Sequence, residues 1–132
     1  MFEIEFIPNE DLIYLRVHRQ NIDFIDNSIK PVAFDLKGDD GLSCNWSKYS
    51  NPISTQQLSL KNPHNNAVIS FEVGVLRSIP FVLTVTHDPL ELPSPNRAHT
   101  LVTNMPPRKP NDLGFRSMLM DFFSWEIELS LE

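Results

Sequence analysis

Apolar residues recur at every second position in stretches scattered from one end of this chain to the other, and that period is what most limits its fold. Neighbouring side chains of a strand point to opposite faces, so alternation marks a segment with one face buried. Phe2, Ile4 and Phe6 alternate with Glu3 and Glu5, and the turn residues Pro8-Asn9-Glu10-Asp11 separate them from a second run, Leu12 to His18. The pattern predicts an opening hairpin, with Ile13, Leu15 and Val17 on one face of its second strand and Leu12, Tyr14, Arg16 and His18 on the other. Ile69, Phe71, Val73 and Val75 repeat the period, as do Trp125, Ile127, Leu129 and Leu131 within a closing strand from Ser124 to Leu131. Phe81 to His87 is β-branched or aromatic at almost every position, and with the run around Ile69 it is expected at the centre of the sheet.

The interruptions are as informative as the runs. Six of the eleven prolines fall between Pro89 and Pro110, which predicts loop on either side of one short strand, Ala98 to Val102. Pro31 to Leu36 reads as a short strand before the turn Lys37-Gly38-Asp39-Asp40-Gly41, Leu42 to Tyr49 alternates weakly, and Asn21 to Lys30 has no sustained period. Asn51-Pro52 predicts the start of a short helix ending near Leu58. Asn111 can cap a helix from Asp112 to about Phe123, with Leu113, Leu119, Phe122 and Phe123 roughly on one face despite Gly114. The closing strand mirrors the first, so the two ends are expected to pair or to lie on one sheet. There is no repeat and no linker. The fold expected is a single α+β domain over residues 1–132, a largely antiparallel sheet of five to seven strands with a C-terminal helix of about three turns on one face.

A chain of 132 residues that is 41% hydrophobic and 21% charged can enclose one core. Its single cysteine, Cys44, cannot form an internal disulfide, and the start has neither a basic stretch nor a long apolar one, so a cytoplasmic location is expected. No apolar run approaches the roughly 18 residues of a membrane span. Asn45-Trp46-Ser47, a glycosylation acceptor by its letters, has no meaning in that compartment. A net charge of −6 and a pI near 5.1 exclude sequence-independent nucleic-acid binding, which needs cations to replace counterions at phosphates. The charge is uneven: residues 1–45 carry nine acids against four bases, whereas residues 97–118 carry Arg97, Arg108, Lys109 and Arg116 against Asp112 alone. The second stretch reads either as a solvated basic loop or as a local anion site.

Two histidines flank the first part of the proline-rich segment. If the strands ending at His87 and beginning near Ala98 are adjacent and antiparallel, His87 and His99 are expected to face each other on the apolar side at its rim. Such a pair serves either acid–base chemistry, since imidazole titrates near neutrality, or the anchoring of a loop. Arg16 and His18, two positions apart on one strand, could share a phosphate or could simply be a surface charge and a strand end. Trp46 and Tyr49, within Trp46-Ser47-Lys48-Tyr49-Ser50, supply aromatics and hydroxyls for a ligand or for packing, and Arg97 is the nearest base on the loop. Cys44 as a nucleophile would need a nearby histidine and a depressed pKa, so a buried structural thiol is the expectation. His87, Asp88 and His99 are too few for a metal, and Asp39 and Asp40 do not make a calcium loop. No glycine-rich phosphate loop, Gly-x-Ser-x-Gly elbow, His-Glu-x-x-His helix or pair of His-x-Thr elements is present, so neither metal nor cofactor is expected.

Leu15-Arg16-Val17-His18, the segment from Leu42 to Ser50, and His87-Asp88-Pro89-Leu90 followed by Asn96-Arg97-Ala98-His99 together resemble a group of short bacterial proteins of unassigned function. The resemblance covers roughly residues 12–103. Asn45 stands where that group's pattern has aspartate, and Arg97 where it has proline. The resemblance marks positions and implies no activity. The function expected from the residues is a small, non-catalytic binding module acting with a larger protein partner, its proline-rich loop presenting side chains. The alternative is a small enzyme acting on a phosphate-bearing substrate, a nucleotide, NAD or an RNA end, through Arg16, His18, His87 and His99. One concave grouping of those four side chains would favour the enzyme, and their dispersal the module.

Overall fold

Period-two segments that are far apart in sequence can bury a common face only by pairing, and in the computed structural model six of them do so. The structure describes residues 1–34, 41–59, 61–106 and 113–130. Its strands are β1 (Leu12–His18), β2 (Ile22–Asp23), β3 (Ser28–Ile29), β4 (Leu42–Trp46), β5 (Asn66–Glu72), β6 (Thr84–His87), β7 (His99–Thr103) and β8 (Ser124–Ile127). The main sheet runs β6-β7-β4-β1-β5-β8 with every ladder antiparallel, and β2 and β3 pair separately. A six-stranded, mostly antiparallel sheet with a few short helices is a small α+β domain, as the alternation implies. Among the described residues, no helix is long and apolar enough to cross a membrane.

The ladders sort the side chains. Ile13 opposite Trp46, and Cys44 opposite Thr100, lie on the core face, together with Val17, Ile69, Phe71 and Val102. Onto this face fold the 3-10 turn Pro31–Phe34, with Phe34 wholly buried, helix α2 (Val73–Arg77), and helix α3 (Leu113–Leu119), whose Leu119 is 2% exposed. Burying each such side chain stabilises the fold by roughly 1.5–3 kcal/mol. The outer face carries Tyr14 opposite Asn45, and Arg16 opposite Val68. Helix α1 (Pro52–Gln57) covers β1 and β5 there, capped by the Asn51 side chain accepting the Ser54 N–H at 2.8 Å and opened by Pro52. Thr55 accepts a hydrogen bond from the Asn45 side chain at 3.3 Å, and Gln56 donates to the Asn66 carbonyl at 2.9 Å, which fastens the helix to the sheet.

Several expected elements differ. Residues 1–7 form no strand, so there is no opening hairpin: Ile4 and Phe6 are 72% and 77% exposed, while Ile7 is buried and Glu5 turns inward. The alternation is present, but in the opposite phase, because the Glu5 carboxylate has partners inside and Ile7 reaches the core. The ends do not pair; β8 lies on β5 at the opposite edge of the sheet from β6. The strand expected from Pro31 is a 3-10 turn over residues 31–34, and 35–40 lie outside the described residues. The strand around Ile69 ends at Glu72, after which the chain turns into α2, whose Gly74 packs so closely on Asn9 that an added Cβ would meet the Asn9 Cβ at 3.0 Å. The C-terminal helix ends at Leu119 rather than near Phe123, its described part running from Leu113 to Leu119, and Asp112 lies outside the described residues.

Candidate functional site

The strands bearing His87 and His99 are adjacent and antiparallel, but their register pairs His87 with Thr100. Directly opposed residues share a face and consecutive ones do not, so the two imidazoles lie on opposite faces of the sheet. His87 points into the core face with Val85, and His99 to the outer face with Leu101. The expected face-to-face histidine pair is therefore absent. The reason is local: Ala98, Thr100 and Val102 form the inward phase of β7, and Leu101 is only half-buried on the outward one.

His87 is 1% exposed and both its ring nitrogens are engaged. Nδ1 accepts the Glu5 backbone N–H at 3.0 Å, which leaves the proton on Nε2, 2.7 Å from the Arg97 carbonyl. Around the ring stand Trp46, edge-on at 5.1 Å between centroids, and Tyr49, stacked at 6.0 Å. Trp46 is itself fixed by donating Nε1–H to Asp11 at 2.8 Å. The tight turn after β4 then lifts Lys48 and Tyr49 beside this aromatic floor, and the Arg97 guanidinium lies 4.2 Å above the Tyr49 ring. The His87 ring thus joins the N-terminal arm to the proline-rich loop.

The Glu5 carboxylate sits over that floor. It accepts hydrogen bonds from Lys48 Nζ at 2.6 Å and from the Tyr49 hydroxyl, and Arg97 approaches it to 3.8 Å. The Lys48 ammonium, and after it the Tyr49 hydroxyl, hold the Glu5 carboxyl below the ordinary carboxylate range, and the same contact raises Lys48 above its usual value. Trp46, Tyr49, Arg97 and His87, singled out in the sequence for separate reasons, are therefore one cluster. Glu5 and Lys48 complete it. Neither carries a sequence signal beyond the acid-rich start and the single base within the Trp46–Ser50 segment.

The remaining candidates have other partners. His18 is exposed, and its Nδ1 accepts the Gln20 N–H at 3.1 Å, capping the 3-10 turn Arg19–Asn21. Arg16 donates to the Thr55 carbonyl at 3.1 Å against α1, and desolvation there lowers its pKa. His99 places Nδ1 2.9 Å from the Asp88 carbonyl and 3.2 Å from the Asp88 carboxylate, and Nε2 3.3 Å from the Ser43 hydroxyl. Arg116 is buried and donates to the Pro106 carbonyl at 3.2 Å, and Arg108 and Lys109 lie outside the described residues. Cys44 is buried on the core face, where burial pushes its thiol up to about 12, so it stays protonated and unreactive. Among the described residues, no group of three or more His, Cys, Asp or Glu side chains could hold a metal ion. No protein-family model, curated protein or solved structure matches this chain.

Proposed function

We propose that this chain is a cytoplasmic, non-catalytic binding module that works with a larger protein partner. One observation carries the reading: the four side chains that a phosphate-handling enzyme would need are divided between the two faces of the sheet. His87 is enclosed with both nitrogens bonded to backbone groups, while Arg16 and His18 each serve a neighbouring helix or turn. A base whose lone pair and proton are both committed cannot exchange a proton with a substrate. The surface supports recognition instead. Met1, Ile4 and Phe6 on the arm, and Leu90 and Leu92 on the adjoining loop, are exposed large apolar residues, and the arm is tied to the loop by the Phe2 N–H donating to Glu91 at 3.1 Å. The test is affinity purification of the full chain from its source cells beside a Leu92→Asp variant. A partner retained at stoichiometric amounts by the wild type and lost by the variant is the expected result. Phosphate release from nucleotides or NAD that falls in Arg16→Ala or His99→Ala would overturn it.

A second reading rests on the Ser43–His99–Asp88 line, in which a hydroxyl, an imidazole and a carboxylate follow one another at 3.3 and 3.2 Å. This is the order of a serine nucleophile, its base and an orienting acid. The Asp88 backbone carbonyl, however, lies nearer His99 Nδ1 than the carboxylate does, and the Asp88 N–H donates to the His99 carbonyl at 2.9 Å, so the ring also closes the loop. Covalent labelling of Ser43 by a fluorophosphonate would favour this reading, and failure to label it would remove it.

A further inference from the structure

We infer that His87, Lys48, Tyr49 and Arg97 form a recognition site for an acidic residue in an extended segment of the partner protein, and that Glu5 is its occupant within the chain. The inference rests on the binding-module reading and specifies its ligand.

The first argument is the form of the contact. Glu5 is read twice, through its backbone N–H by His87 Nδ1 and through its carboxylate by Lys48, Tyr49 and Arg97. A backbone donor and an acidic side chain from the same residue are what any extended segment carrying Glu offers. Two donors and a nearby guanidinium converging on one carboxylate give geometric selectivity that a lone surface ion pair lacks.

The second argument is that the site stands without its occupant. Trp46 is held by Asp11, Tyr49 packs edge-on against Trp46 at 5.4 Å, Arg97 stacks on Tyr49, and His87 Nε2 is bonded to the loop carbonyl. None of these contacts involves the arm. Removing Glu5 would leave a preformed basic rim over an aromatic floor, with one buried acceptor, His87 Nδ1, lacking its donor. Leaving such an acceptor unpaired is unfavourable, so a replacement N–H is attracted.

The third argument is how lightly the arm is held. It adds no strand to the sheet, and Ile4 and Phe6, on either side of Glu5, contribute little burial. Beyond the Glu5 contacts it is secured at one end by Ile7, whose side chain is buried and whose carbonyl accepts from Arg77 at 2.5 Å, and at the other by Glu91, with Arg77 5.0 Å from the Phe6 ring and Arg97 5.8 Å from the Phe2 ring as its further contacts. Residues 1–6 can leave while Ile7 stays.

The experiment is a titration of the full chain carrying Trp125→Phe, followed through the fluorescence of Trp46 and by calorimetry, with an N-acetylated peptide of residues 1–7 as the probe. Wild type, whose own arm competes, is compared with Glu5→Ala. The expected result is at least tenfold tighter binding to Glu5→Ala, lost when the peptide carries Glu5→Gln and lost when Arg97→Ala or Lys48→Ala is added to the protein. Equal binding to both proteins, or binding that survives loss of Arg97 and Lys48, would overturn the site. Inorganic phosphate binding as tightly as the peptide would overturn the assignment to an acidic peptide residue in favour of a simple anion site. Concentration-dependent dimerisation of wild type that disappears in Glu5→Ala would overturn a foreign partner in favour of a second copy of this chain. Should Glu5→Ala not fold, Glu5→Gln replaces it, since it keeps the side chain's volume while removing its charge. A cellular partner whose capture is unchanged by Glu5 and Arg97 variants would end this inference and leave the module standing. Peptide binding with no cellular partner would reduce the site to an internal anchor for Glu5 and end both the inference and the module.

Discussion

His87 and His99 lie on neighbouring strands, and the sheet treats them as differently as it treats Ser43 and Cys44, which adjoin in sequence. On the core face, His87 has two backbone partners and two aromatic walls, and Cys44 is a neutral thiol without access to water. On the outer face beyond α1, His99 is partly open and Ser43 is exposed, with a 3.3 Å contact between them. The chemical type of a residue sets what it can do; the phase of its strand decides whether it does it. An imidazole on the core face becomes a brace because every polar atom there must be paired. The same ring one position out of phase keeps room for a solvent-facing role.

Replacing each histidine separately should break this symmetry most sharply. His87→Ala leaves a cavity and strands both the Glu5 N–H and the Arg97 carbonyl, so stability in urea should fall by about 3 kcal/mol. His99→Ala removes a ring that is 14% exposed rather than enclosed and should cost about 1 kcal/mol. Equal losses would mean that the two faces do not differ as described.

The contact of β4 with β7 is tightest where β4 begins. Gly41 has φ +97°, and a Cβ there would meet the Val102 carbonyl oxygen at 2.7 Å and the Thr103 methyl at 2.8 Å. Gly41→Ala should therefore lower stability by about 2 kcal/mol through left-handed strain and a forced shift against β7. An unchanged urea midpoint would show that β4 and β7 are not in such close contact there.

Acid should act first on the arm. The Glu5 carboxyl is depressed on folding by Lys48 and then by Tyr49. A depressed acid contributes stability that is present above its ordinary value of 4.5 and lost as the pH falls through its lower folded value. Urea midpoints of the wild type should thus drop more steeply below pH 4.5 than those of Glu5→Gln. Parallel curves would contradict the arm contact. The smallest effect on stability is expected from Ser43→Cys, which should leave the urea midpoint within about 0.5 kcal/mol of wild type. The new outer-face thiol should react with iodoacetamide in the native protein, while Cys44, buried and with its thiol pushed up to about 12, should react only on unfolding.

Much of the sheet was legible because β8 alternates in burial, β1 does so from Leu15 to His18, and β5, buried on both faces, is apolar from Ala67 to Phe71 at every position but Ser70. Trp46, Tyr49, Arg97 and His87 were legible as unusual residues, since large aromatics and a histidine at strand ends seldom lie idle. The phase of His99 was not, because Ala98-His99-Thr100-Leu101-Val102 offers an apolar residue in either phase and only the ladder to β6 decides between them. The arm misled for a related reason. Phe2, Ile4 and Phe6 read as the buried set, yet Glu5 has partners 43, 44 and 92 positions away that no local pattern announces. Long-range polar contacts reversed a phase that hydrophobicity alone would have set the other way.

The claim that His87 is a brace between arm and loop is tested most directly by the ring's own nitrogens. A long-range proton–nitrogen correlation spectrum of the full chain should show His87 as the Nε2–H tautomer, with a ring proton that exchanges slowly because it is buried and bonded to the Arg97 carbonyl. Glu5→Pro, which deletes the N–H that Nδ1 accepts, should shift the His87 nitrogen signals while sparing those of His99. An Nδ1–H tautomer, or a His87 ring proton exchanging as fast as that of exposed His18, would contradict the account.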